Sequence, residues 1–170
     1  MAKDDTIDED MLIEDDEEST EDKYLMCKLG QEVYGINISH VTDIIELQKI
    51  TEVPDMPEYV KGVINLRGQV IPIIDLRLRF RMEGREYDDR TVITVVNIHG
   101  ASIGFIVDTA TEVQAIPEKA IDPAPSFHGG ADRKKYIAGL GKIGEQVIII
   151  LDMERLVQAE EVESLQEAAK

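Results

Sequence analysis

The chain has 170 residues, a net charge of −17 and an apolar fraction of 43%, enough for one domain or two small subdomains sharing a core. That acidity argues against nucleic acid and against an anionic membrane surface, since both call for a basic face. No apolar run reaches the roughly 18 residues of a membrane span, the start has no secretory leader, and Cys27 is alone, so a cytoplasmic chain without disulfide or Cys-based zinc cage is expected.

Residues 1–22 contain twelve acidic side chains and Lys3, a balance of −11 that leaves −6 for the remainder. Such a segment buries too little to offset chain entropy and is expected to be a disordered tail. Residues 24–29 and 33–38 alternate as strands, with Gly30-Gln31-Glu32 as the turn between them. Ser39 is placed to cap a short helix running to Glu46, with Val41, Ile44 and Ile45 on one face. A short strand at 50–53 then gives way to a loop marked by Pro54 and Pro57.

The next hairpin joins 60–66 to 69–75 through Arg67-Gly68, where Gly supplies the positive φ of a tight turn. Pro72 lacks an N–H donor, which predicts an edge or a bulge there. A brief helical turn at 76–81 and a charged connector at 83–90 end the first half. The second half opens with strands at 91–98 and 101–107 around the His99-Gly100 turn, followed by a strand at 110–116. Pro123, Pro125 and the stretch 127–135 predict a long loop. The last strand is 146–151, followed by a short helix at 153–157 and a helical stretch at 160–169 that frays. Many short strands and few helices predict small β barrels.

The two halves echo one another. Gln69-Val70-Ile71-Pro72-Ile73-Ile74-Asp75 falls on Gln146-Val147-Ile148-Ile149-Ile150-Leu151-Asp152 after a shift of 77. Tyr34-Gly35-Ile36-Asn37-Ile38 falls on Ile103-Gly104-Phe105-Ile106-Val107 after a shift of 69. Two echoes in the same order indicate a duplicated β subdomain, about 24–85 and 90–158.

Candidate chemistry is sparse. Gly139-Leu140-Gly141-Lys142-Ile143-Gly144 spells a dinucleotide fingerprint, yet a β-rich run follows it instead of a helix, so glycines at a hairpin turn are the better account. Cys27 reads as a small buried hydrophobe, and His40, His99 and His128 are scattered. Asp75 and Asp152 each precede a short helix and read as N-caps rather than as an acid/base pair. Arg67 stands apart: its counterpart is Gly144, so the turn itself does not need a cation there.

The blocks Tyr34-Gly35-Ile36-Asn37-Ile38, Val60-Lys61-Gly62-Val63-Ile64-Asn65-Leu66-Arg67-Gly68 and Val70-Ile71-Pro72-Ile73-Ile74-Asp75-Leu76 resemble the CheW coupling proteins of bacterial chemotaxis. The likeness continues through Gly104-Phe105-Ile106-Val107-Asp108, Ile121-Asp122-Pro123-Ala124-Pro125 and Tyr136-Ile137-Ala138-Gly139-Leu140-Gly141. It implies an all-β fold of two intertwined five-stranded SH3-like barrels over 23–158, with strand exchange between them and a tail at 159–170. It implies no catalysis, cofactor or metal.

The partners it implies are the regulatory domain of the histidine kinase CheA and the cytoplasmic tip of methyl-accepting chemoreceptors. The chain would be a monomer in isolation, recruited to membrane-associated receptor clusters and their arrays. By position, Arg67, Val92, Ile93, Gly104 and Ala110 would border a receptor groove between the subdomains. Ile38, Val41, Asp43 and Gly62 would face the kinase. The acidic tail departs from the shorter leaders usual in the family, and little effect on coupling is expected from it. A CheV-like coupler or a kinase would need further modules, and only about a dozen residues follow Val157. A coupler of a non-flagellar pathway, or a fragment of a larger signalling protein, is the alternative.

Overall fold

The computed structural model describes residues 22–123, 135–157 and 165. The acidic tail up to residue 21, most of the expected 127–135 loop and the C-terminal stretch other than Leu165 lie outside the described residues. The strands are β1 (Lys23–Leu29), β2 (Glu32–Asn37), β3 (Val41–Glu46), β4 (Val60–Leu66), β5 (Gln69–Asp75), β6 (Val92–Ile98), β7 (Ala101–Val107), β8 (Thr109–Ala115), β9 (Ile121–Pro123), β10 (Ile137–Ile143) and β11 (Gln146–Leu151). Two single-turn helices follow the repeated strands: α1 (Leu76–Arg79) after β5 and α2 (Met153–Leu156) after β11. Among the described residues no helix is long and apolar enough to cross a membrane.

The strands form a five-stranded sheet in the order β3-β6-β7-β5-β4 and a six-stranded sheet in the order β8-β1-β2-β11-β10-β9. Each sheet therefore takes strands from both halves of the chain, and the intertwining expected from the sequence is present. The sixth strand is the three-residue β9, added at an edge beyond the five expected. The exchange is symmetric. β5 pairs in parallel with β7 through Ile73↔Gly104, and β11 pairs in parallel with β2 through Ile150↔Gly35. Adding 69 carries Gly35 to Gly104, and adding 77 carries Ile73 to Ile150, so the two junctions are copies of one another.

Burial explains why the exchanged strands read as almost unbroken apolar runs. In β6, Ile93 and Val95 face one barrel interior with Ile64, Ile71, Ile73 and Ile106. Val96 and Ile98 of the same strand face a core shared by both sheets, which also takes Leu25, Cys27 and Leu29 of β1. Tyr24 and Met26 on the other face of β1 fill the second barrel with Val33, Ile116, Ile148 and Ile150. Leu165 is buried in the shared core as well.

Three expectations are corrected. The segment after Ser39 is not a helix: Ile38–His40 is a single 3-10 turn, and β3 follows with alternating exposure, paired to β6. The cap is Asn37, whose side chain accepts from the Ser39 amide at 2.9 Å. The strand expected at 50–53 reduces to one bridge, Thr51 with Val63. Pro72 lies in an interior strand rather than at an edge; of the two alternatives the bulge is the one found nearby, in β4 opposite Ile73 and Ile74. The missing Pro72 N–H falls just before the parallel ladder to β7 starts at Ile73, so no partner is deprived.

Candidate functional site

The β4–β5 hairpin turns on Arg67 (φ 52°) and Gly68 (φ 82°), positive at both central positions as a I′ turn requires. The Asn65 side chain accepts from the Gly68 amide at 2.9 Å and locks the tip. Arg67 reaches across to the edge strand β3, where its two terminal nitrogens donate to Asp43 Oδ2 at 3.1 Å and Oδ1 at 3.2 Å. The guanidinium is 72% exposed and the carboxylate 25%, so the pair adds little stability but fixes the direction of the cation. One residue expected at the receptor surface and one expected at the kinase surface are thus ion-paired.

The other expected site residues divide by depth. Ile38 and Val41 are half-buried where the 3-10 turn enters β3, and Val92 is half-buried at the start of β6. Ile93 is wholly buried in the barrel interior and offers a partner no surface. Gly104 lies against it: a Cβ there would meet Ile73 Cδ1 at 2.6 Å and Ile93 Cγ2 at 2.7 Å. Gly62 (φ 142°) sits at the β4 bulge, where a Cβ would fall 2.0 Å from the Thr51 carbonyl oxygen. Ala110 belongs to the other sheet, opposite Cys27 in the β1–β8 register. Ile93, Gly104 and Gly62 therefore shape the surface from beneath.

Two features were not legible as sites. Ile44, Val70, Val113 and Val147 are the exposed large apolar side chains among the described residues. They are one pair seen twice, since 44 plus 69 is 113 and 70 plus 77 is 147. Each barrel so presents an apolar residue on its third strand and another just past a hairpin tip. The second feature is a cleft of about 420 Å³ between the halves, lined by Glu58, Tyr59, Arg79, Arg81, Lys135 and Tyr136 among others. The Arg79 guanidinium carbon lies 4.9 Å from the Tyr59 ring centre and 4.7 Å from that of Tyr136, and Arg79 Nη2 donates to the Leu156 carbonyl at 3.2 Å. Tyr59 and Tyr136 are repeat partners, 77 residues apart, which is the sequence signal that would have found this place. None of the expected receptor-groove residues lines it.

The groups with chemical potential elsewhere have structural work. Burial pushes the Cys27 thiol up to about 12, against a weaker opposing hydrogen bond to Thr94, which leaves it unreactive. Asp75 accepts from the Leu78 amide and Asp152 from the Arg155 amide, so both are the N-caps expected. Asp75 also accepts from the Tyr87 hydroxyl at 2.6 Å; burial, then that bond and the carboxylate charge, raise the Tyr87 phenol above its ordinary range. Of the fingerprint glycines only Gly144 is in the turn; Gly139 and Gly141 lie in β10 beneath β9 and Ile116. Among the described residues no group of His, Cys, Asp and Glu is arranged to hold a metal ion.

Comparison with known proteins agrees with this geometry. A family model described as the CheW-like domain matches residues 23–161, both barrels included. The chemotaxis protein CheW of Klebsiella aerogenes is 37% identical over 153 residues, covering 90% of this chain and 92% of that protein. The chemotaxis protein CheW of Treponema pallidum is 33% identical over 144 residues, covering 81% and 83%. The crystal structure of the scaffolding protein TtCheW from Thermoanaerobacter tengcongensis superposes with a TM-score of 0.75 at 33% identity, covering 82% of this chain and 94% of that one. With one family model spanning both sheets and relatives aligned over most of their own length, the chain belongs to the CheW family.

Proposed function

We propose that this chain couples the cytoplasmic tips of methyl-accepting chemoreceptors to the histidine kinase CheA, placing the kinase under receptor control within a signalling array. Members of the family are chemotaxis scaffold adaptors rather than enzymes. The observation that carries the proposal is the repeated exposed pair, Ile44 with Val70 and Val113 with Val147. An adaptor that alternates with a partner of the same fold needs two like faces, and repeated weak contacts then gain avidity.

In this scheme Arg67 anchors the receptor surface with Val92 and Ala110, while Ile93 and Gly104 support it from within. Ile38, Val41, Asp43 and Gly62 form or support the kinase side. A receptor tip made of helices would present one face to Arg67, whose fork suits a carbonyl or carboxylate. The protein works in the cytoplasm at membrane-associated receptor clusters and is a monomer when alone.

Reconstitution tests the proposal. Kinase activity of CheA becomes receptor-dependent only when chain, receptor signalling fragment and kinase are all present. Unchanged kinase activity on adding the chain to the other two rejects coupling. Arg67→Ala is expected to cost about 2 kcal/mol of receptor affinity if it anchors the contact, read by titration of the receptor fragment. Full affinity in that variant removes Arg67 from the receptor surface.

A further inference from the structure

The β4–β5 hairpin and its repeat partner, β10–β11, close at the same register but turn differently. Leu66 pairs with Gln69 and Ile143 with Gln146, each of the second pair lying 77 residues on from the first. In the β10–β11 tip, Gly144-Glu145, φ is positive at Gly144 alone (59°), the II′ pattern with glycine at the first central position. In the β4–β5 tip both Arg67 (52°) and Gly68 (82°) are left-handed, so a long side chain holds a conformation that disfavours any residue with a Cβ. Closing the hairpin does not demand that strain, since the repeat avoids it.

Two further positions separate the tips. The exposed Asn65 side chain accepts from the Gly68 amide at 2.9 Å, whereas its repeat counterpart, Lys142, pairs with Asp122 at 2.8 Å. Asp43 and Glu112 are also counterparts, 69 residues apart. Asp43 takes both terminal nitrogens of Arg67, while Glu112, whose own tip offers only Gly144, accepts from the Gln114 side-chain amide.

We infer that Asn65 is the positioning residue of Arg67: by binding the Gly68 amide it holds the tip in the doubly left-handed turn that sends the guanidinium across to Asp43. The bond is exposed and adds little to folding; its work is directional. A long arginine gives up rotamer freedom when a partner captures it, and a tip fixed beforehand leaves less to lose. Asn65, Arg67 and Asp43 thus form one cation-presenting unit that the first barrel has and the second lacks. Its use in binding rests on Arg67 being the receptor anchor; the positioning itself does not.

Nitrogen relaxation of the Arg67 side-chain Nε in the full chain reads the positioning with no partner present. Asn65→Ala should make that group markedly more mobile, and Asn65→Asp, which keeps the acceptor oxygen, should leave it ordered. Equal mobility in all three proteins overturns the inference. Against the receptor signalling fragment, Asn65→Ala should lose about two- to tenfold in affinity, the worth of one neutral hydrogen bond, and Asn65→Asp should recover it. Adding Asn65→Ala to Arg67→Ala should cost nothing more; a loss that persists there means that Asn65 acts on its own and also overturns the inference. Full affinity in Arg67→Ala alone would sink the receptor reading instead, and the relaxation result would still decide the positioning.

Discussion

Arg67 and Asp43 form a fork between two exposed groups, and their mutual stabilisation in the free protein is small for that reason. A double-mutant cycle of Arg67→Ala and Asp43→Ala should give a coupling below about 1 kcal/mol in urea denaturation. The same cycle measured on receptor affinity should give more, because the fork aims the cation; equal couplings would mean that Asp43 does not orient Arg67 for a partner. The glycines of the candidate surface make a different forecast. Gly62→Ala meets a backbone oxygen at 2.0 Å with φ at 142°, whereas Gly104→Ala meets the movable ends of two isoleucines. Gly104→Ala should cost about 1–3 kcal/mol and Gly62→Ala more, read from denaturation midpoints. Loss of kinase binding at Gly62 would then report folding before contact. Arg67 was legible in the sequence because its repeat partner is a glycine. Its pairing with Asp43 was not, since the two are 24 residues apart and meet only when the sheet curls.

The element most at odds with its sequence is β3. Val41, Ile44 and Ile45 fit a helical stripe by spacing, but Val41, Thr42, Ile44 and Ile45 are β-branched and stiff at χ1, and an open edge of β6 was there to pair with. The elements are held to each other by a clamp centred on Asp108, just after β7. Arg77 of α1 donates to its two oxygens at 2.8 and 2.5 Å, Arg85 of the connector at 3.0 Å, and the Gly30 amide of the β1–β2 turn at 2.7 Å. The clamp ties the six-stranded sheet to the five-stranded one. Partial burial pushes the Asp108 carboxyl up, but the Arg77 hydrogen bond, the Gly30 amide and the Arg77 and Arg85 cations outweigh it and hold it below the ordinary range. Its folded value thus lies below the unfolded one, near 3.9. The stabilisation is complete above that pH and is lost as pH falls through the folded value. Asp108→Ala, which removes the carboxylate that pairs with a nearly buried Arg77 and leaves its bond to the Glu83 carbonyl, should cost about 3 kcal/mol at neutral pH. Denaturation from pH 6 down to 2 should show a shallower acid slope in the variant; parallel slopes would mean that Asp108 titrates alike folded and unfolded.

At the scale of the molecule, exchange makes the halves inseparable. The parallel junctions β5–β7 and β2–β11 place each half's strands inside the other's sheet, and one core takes side chains from both. Unfolding either half alone would expose that core and break both sheets. Urea denaturation followed by far-ultraviolet circular dichroism and by tyrosine fluorescence should therefore give one coincident transition. Two separated midpoints would show that the barrels unfold independently. Arg79 sits where the halves meet, between tyrosines from repeat-related positions, so the cleft around it is a property of the assembled pair and of neither half.

Much of this protein was written in local order. Period-two alternation, Gly at hairpin tips and Asp before each short helix determine strands, turns and caps from neighbours alone, and the shifts of 69 and 77 reveal the duplication. Which hairpin joins which sheet was not determined there. A strand apolar on both faces packs equally well in either barrel, and the choice depends on contacts between residues dozens to more than a hundred positions apart. Tertiary structure settled that choice, and with it the ion pair of Arg67 with Asp43, the Asp108 clamp and the cleft around Arg79. Each of these needs two distant segments brought to within hydrogen-bonding or ring-contact distance, a condition that no local pattern encodes.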